Sequence, residues 1–293
     1  MIDRSKTAAN RSNIQVYRMI VVNGLQMVMN GGNPVLLKKL TIEDVAVLRE
    51  PLVSGRQSPN TLGRTLVLGV LLQILAYYLE YAVLGKVTNF PYKDQILTVH
   101  FWVTVVLVIF SALYAIPLIY KKSQKTQYLV TILVSQNMAT VFMYICGLFL
   151  LGENQEISEK SLLIFTMVTL SFGVLLFIAT VIRFSILLGK GKYRKGSKRD
   201  GLRAKFETKT YLPAVIIGST GLVFIIQFAM RTYNLADIEE AAIIVICFAV
   251  FYTMIFVLPE QLVILYCKFR FKSFNFDKRG YLESEESARV RKL

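Results

Sequence analysis

Four ionisable side chains, Glu80, His100, Arg183 and Glu260, sit inside long apolar stretches of this 293-residue chain. A charge buried among apolar residues is costly, so such groups tend to pair with one another or line a cavity. Counting from the nearest polar flank puts Glu80 and His100 at one depth, and Arg183 and Glu260 at another. Two pairs are therefore expected. A glutamate facing an imidazole could be a hydrogen-bonded staple between neighbouring helices, a contact at the membrane edge, or a proton relay, since histidine changes charge near neutral pH. An arginine facing a glutamate at equal depth reads as a structural ion pair or as two side chains snorkelling to the interface.

Nearer the middle of these stretches the polar residues are neutral: Gln73, Gln136, Asn137 and Gln227. Amides there bond across helices, contributing on the order of 1 kcal/mol or less. With Ser135 they could also form the wall of a small-solute path. Patterns for bond-making chemistry are missing. The single histidine has no serine and aspartate to form a triad with, no HExxH or paired aspartates occur in an apolar stretch, and Gly-Lys-Gly-Lys at 189–192 lacks the second half of a phosphate loop. Cys146, Cys247 and Cys267 have no metal-ligand spacing and read as small apolar fillers. No catalytic residue, cofactor or metal is expected, and an enzyme is disfavoured.

The elements that must position these groups are six apolar segments, at about 65–85, 97–120, 127–151, 161–188, 211–230 and 241–266. Each is long enough to cross a hydrocarbon core of about 30 Å as a helix. A hydrophobic content of 54% and a mean hydropathy of +0.50 agree. Of the 34 Lys and Arg residues, 30 fall on one side of the six segments, in 1–64, 121–127, 190–210 and the tail from 267, with Arg183 near the same side. Only Lys86, Lys93, Lys160 and Arg231 fall on the other. By the positive-inside rule the basic regions and both termini are cytoplasmic, and the short loops around 153–160 and 237–240 face out. The net charge of +15 is then assigned to topology and to contact with anionic headgroups. Nucleic-acid binding would not produce the alternation from loop to loop. The first 13 residues are polar and lack the apolar core of a signal peptide, so the first span is expected to start insertion.

The expected fold class is an all-α polytopic membrane protein with six transmembrane helices, both termini cytoplasmic, and a small N-terminal β-hairpin. Its parts are residues 1–63, the six-helix domain 64–266 and a basic, aromatic tail 267–293. Residues 14–22 are rich in β-branched and aromatic types, and Asn23-Gly24 is a two-residue hairpin turn. Thr41 and Asp44 form a variant capping box for a short helix that Glu50-Pro51 ends. A hairpin this small needs cover, and the tail, alternating Lys268-Phe269-Arg270-Phe271-Lys272, could supply a strand. The same phenylalanines could instead lie in the headgroup region, or continue the last helix.

The run Val16-Tyr17-Arg18-Met19-Ile20-Val21, the Asn-Gly turn, a second short strand, Lys38-Lys39-Leu40-Thr41-Ile42-Glu43-Asp44 and a glycine-containing first span resemble the tandem five-transmembrane proteins of Gram-positive bacteria. The likeness covers about the first 120 residues, and this chain departs from it in having a sixth span. That family includes immunity proteins protecting a cell from a membrane-depolarising toxin of type VII secretion. The resemblance implies a plasma-membrane protein that binds an inserted protein partner within the bilayer, at outer acids and at small residues such as Gly147, Gly173, Gly218 and Gly221. Two other classes stand beside it: a structural or regulatory partner presenting its cytoplasmic hairpin, and a small-solute transporter or channel past Gln73, Gln136, Asn137 and Gln227.

Overall fold

The computed structural model describes residues 40–198, 200–201, 236–277 and 279–284. The N-terminal hairpin, the apolar segment 211–230 with Gln227, Gly218 and Gly221, and residues 285–293 lie outside them. Five helices long and apolar enough to span a membrane account for most of the described chain: α1 Pro59–Val87, α2 Lys93–Ala115, α3 Gln124–Leu151, α4 Glu159–Gly189, and α5 Ala236–Arg270, whose span is Glu240–Arg270. The protein is thus membrane-embedded and multi-pass. α5 is the sixth apolar segment of the sequence.

Local chemistry sets the helix limits. The Ser58 hydroxyl accepts the Thr61 amide at the start of α1, where Pro59 occupies the first turn; Ser158 and Ser161 repeat the cap at α4. α2 ends at Ala115 rather than running to 120. Ile116, which precedes Pro117, turns extended, and a separate turn Pro117–Tyr120 follows. At its other end the Lys93 ammonium donates to the carbonyls of Gly85 and Thr88, at 3.1 and 3.0 Å, neutralising the C-terminal end of α1.

The spans invert the pattern of a soluble helix. In α1 the exposed face carries Leu68, Leu71, Ile74 and Leu75, while the buried stripe is Leu62, Leu66, Gly69, Gln73 and Glu80. Lipid is as apolar as leucine, so helices associate through small and polar residues. Gly69 lets Val134 of α3 approach, with 3.3 Å left for a Cβ; Gly147 of α3 meets Phe248 and Cys247 of α5, and Gly173 of α4 meets Phe251 and Ile255 of α5. α1 packs on α2 and α3, and α5 packs on both α3 and α4.

At the acidic end the α1–α2 connection folds over the end of α3. The Asn89 amide donates to the Gly152 carbonyl at 2.8 Å, and Phe90 is buried against Phe149. A Cβ on Gly152 would stand 2.5 Å from the Thr88 hydroxyl, which is why glycine ends α3.

At the basic end three segments form a cap under α3, α4 and α5. A 3-10 turn Glu43–Arg49 runs directly into the helix Glu50–Val53. Pro51 therefore does not end the helical stretch; it sits in the first turn of that helix, where its missing N–H costs nothing. The tail forms no strand over 268–272. α5 continues through Arg270, a 3-10 turn Lys272–Phe274 follows, and an isolated bridge pairs Phe276 with Leu282. Phe274 and Phe276 are buried in the cap core with Val45, Val47, Leu48, Leu52, Leu188 and Tyr193, not spread in a headgroup layer.

Candidate functional site

The strongest polar feature is a seam of hydrogen-bonded rungs between α1, α2 and α3. Leu97, His100, Thr104, Leu107 and Ser111 are the buried face of α2, spaced three or four residues apart as a helical stripe requires. Opposite them stand Gln73 and Glu80 on α1 and Asn137 on α3.

The rung nearest the acidic end is Glu80 and His100. Each lies seven residues from the acidic end of its helix, and they are 0% and 3% exposed. Glu80 Oε2 and His100 Nδ1 are 2.6 Å apart, a short charge-assisted contact. Glu80 opens a π-turn, Glu80–Leu84, which adds one residue to the α1 turn before Gly85. The Tyr77 ring closes one side, edge-on to the imidazole with centroids 6.0 Å apart, and its hydroxyl donates to the Leu97 carbonyl. Glu80 Oε1 and His100 Nε2 are buried without a hydrogen-bond partner among the described residues.

The middle rung is Asn137 Nδ2 donating to the Thr104 hydroxyl at 3.2 Å, and Asn137 opens a second π-turn, Asn137–Val141. The third is Gln73 Nε2, which donates to its own helix at the Gly69 carbonyl and to the Ser111 hydroxyl at 3.3 Å. Ser111 donates in turn to the Leu107 carbonyl at 2.7 Å. From His100 to Ser111 the seam covers about 16 Å of helix axis. Asn137 Oδ1 and Gln73 Oε1 are again unpartnered among the described residues. Every rung thus leaves an unused acceptor or ring nitrogen in the three-helix interface.

The uppermost rung staples α1 to α2: both groups are buried, so neither can turn to water and each holds the other in place.

The other expected groups are distributed differently. Gln73 and Gln136 share a depth but not an interface. Gln136 faces α5, where its Nε2 donates to Gln261 at 3.3 Å while its Oε1 accepts from Thr140 at 2.6 Å. Arg183 and Glu260 line one cavity of about 350 Å³ between α4 and α5, and the Arg183 guanidinium lies 5.4 Å from the Phe256 ring centre. Glycines 147 and 173 are spent on internal packing rather than offered to a partner. Thr104 and Ser111 complete two of the rungs, and Thr140 and Gln261 hold Gln136; none of the four stands out in the sequence. The helical spacing of His100, Thr104 and Ser111 was the available signal.

The cap is the second candidate surface. The Arg49 guanidinium donates to the Ser273 carbonyl at 2.8 Å and the Glu283 carbonyl at 2.6 Å, tying residues 43–53 to the tail. The Val47 amide donates to Tyr193 of the α4–α5 connection. Gln124 at the head of α3 makes a two-way bond with Phe276, at 2.9 and 3.0 Å. Lys268, 1% exposed, donates to the Phe274 carbonyl and lies over the Tyr128 and Phe276 rings. The expected Thr41–Asp44 box forms: Asp44 Oδ2 accepts the Thr41 amide and hydroxyl at 2.9 and 2.8 Å, and the Asp44 amide donates back. Asp44 Oδ1 also pairs with Arg194. Partial burial opposes its charge, but the Thr41 bonds and the Arg194 guanidinium outweigh it and hold the carboxyl below its usual range.

No protein-family model, curated protein or solved structure matches this chain.

Proposed function

We propose that the chain is a six-span plasma-membrane protein, both termini cytoplasmic, that acts by binding another protein. The 211–230 segment is the additional span, and the basic cap faces the cytoplasm, where the positive-inside rule puts loops rich in Lys and Arg. The observation that carries the reading is the Arg49 clamp. It fixes residues 43–53 against the tail at the mouth of the bundle. A membrane protein whose N-terminal region recognises a cytoplasmic partner needs such an anchor. The path past Gln73 and Gln136 draws no support, because those side chains belong to different interfaces.

The test is crosslinking in intact cells with the full chain and with a variant lacking residues 1–39. A specific crosslinked protein is expected with the full chain only, at equal membrane insertion; undiminished crosslinking would overturn the reading.

The in-membrane form of binding, the immunity role implied by the resemblance, is supported by the wide apolar faces of α4 and α5, whose most apolar windows are only 11% buried. An inserted helix could pack there without displacing protein contacts. Expression should preserve membrane potential in cells receiving a depolarising toxin, and unchanged depolarisation would remove this form.

A further inference from the structure

Cys146 of α3 and Cys247 of α5 carry a chemistry that neither the seam nor the cap uses, and the packing of α3 on α5 brings them together. Gly147 lets the two helices close in: a Cβ placed on it would lie 3.2 Å from the Cys247 Cβ and 3.1 Å from the Phe248 ring. On the same interface the Tyr144 ring meets those of Phe248 and Phe251, with centroids 5.7 and 4.5 Å apart. Cys247 is buried and Cys146 partly covered, and the two thiols lie within interaction range of each other. Their depths agree. Cys146 stands five residues before Leu151 and Cys247 seven after Glu240, so both are about 8–10 Å from the acidic ends of their helices. A disulfide needs Cβ atoms about 3.5–4.5 Å apart, a separation within reach of helices that touch through a glycine.

We propose that Cys146 and Cys247 form a modification site, a thiol pair that a hydroperoxide oxidises to a disulfide between α3 and α5. Cys146, the more exposed of the two, attacks one oxygen of hydrogen peroxide. The O–O bond breaks, the sulfur becomes a sulfenic acid, and water leaves with the thiol proton. Cys247 then attacks that sulfur: the S–O bond breaks, the S–S bond forms, and a second water carries off the second thiol proton. Two electrons pass from the thiols to the peroxide. The thiolate is the nucleophile and an apolar site disfavours it, so the pair responds to sustained rather than brief exposure. Cys267 takes no part, because it lies 20 residues further along α5, about 30 Å away on the helix axis. α5 packs on both α3 and α4, so the bond fastens the α4–α5 pair to the helices of the seam. The site is independent of which protein the chain binds and of which side of the membrane the acidic end faces.

The test is sustained treatment of the full detergent-solubilised chain with hydrogen peroxide, followed by denaturation, alkylation with N-ethylmaleimide and mass spectrometry. The treated chain is expected to take up one maleimide, at Cys267, where the untreated chain takes up three. A thiol reductant applied before alkylation should restore all three, and digestion without reductant should yield the Cys146 peptide joined to the Cys247 peptide. Cys146→Ser and Cys247→Ser should each give no joined peptide. Uptake of three maleimides by the treated, unaltered chain would overturn the proposal without reliance on any variant. So would a loss of thiols that the reductant does not reverse, or a Cys146 joined to Cys267 or to a second copy of the chain.

Discussion

Glu80 and His100 tie α1 to α2 through a contact that is buried on both sides. Removing one partner leaves the other buried with a polar group unmatched, a loss of about 3–5 kcal/mol for a broken buried pair. Replacing both by apolar residues should cost less than the two single losses together. Thermal unfolding in detergent of Glu80→Ala, His100→Ala and the double variant measures this coupling, and strictly additive losses would contradict the pairing. At the surface, Asp44 has its carboxyl held below the usual range, so its contribution is complete above the ordinary carboxylate pKa and is lost as pH falls through the lower, folded one. The Val47 amide, bonded to Tyr193, should therefore exchange faster in acid relative to its intrinsic rate. Asp44→Asn should flatten that acid-dependent change; the same profile in both proteins would count against the assignment. The Glu80–His100 contact was legible because two ionisable groups at one depth on helices joined by a short loop have few other partners. The separate interfaces of Gln73 and Gln136 were not, because depth alone leaves open which way a side chain faces on its helix. That direction depends on which helix packs against which, and Gln73 meets Ser111 of α2 while Gln136 meets Gln261 of α5.

At the scale of elements, the spans were visible as apolar lengths, and their ends shifted wherever a local rule acted. Pro117 cut α2 short at Ala115, and Ser58 with Pro59 moved the start of α1 out to Pro59. The tail illustrates a harder ambiguity. Alternating phenylalanine and basic residues over 268–272 fit a strand, but five residues are too few to separate a period of 2 from 3.6. α5 continues through them because, on the helix, Lys268 reaches the Phe274 carbonyl and the Tyr128 and Phe276 rings. What no pattern in the sequence announced is the Arg49 clamp, since its acceptors are backbone carbonyls more than 220 residues away. Hydrogen bonds to a charged donor contribute about 1.5–3 kcal/mol each. Arg49→Ala should accordingly speed amide exchange across both 43–53 and the 3-10 turn Lys272–Phe274, leaving α1 and α2 unchanged. Loss of protection in one segment only would show that the clamp does not couple them.

For the whole molecule, the charge map and the packing give a consistent picture. The basic end is closed by a cap of three interlocked segments with Phe274 and Phe276 inside it. The acidic end is closed by a short loop lying on Gly152. Between them, exposed aliphatic side chains face lipid and polar ones face one another. That organisation lets the Glu80–His100 pair sit fully buried near one end while at the other the Arg49 clamp ties residues 43–53 to the tail. The central claim is the orientation, because the placement of the cap and the clamp in the cytoplasmic half follows from it. Membrane-impermeant maleimide labelling of single-cysteine variants in intact cells tests it most directly. Ser158→Cys, at the head of α4, should be labelled from outside, and Ser197→Cys, in the connection after α4, only once the membrane is permeabilised. The reverse pattern would contradict the account.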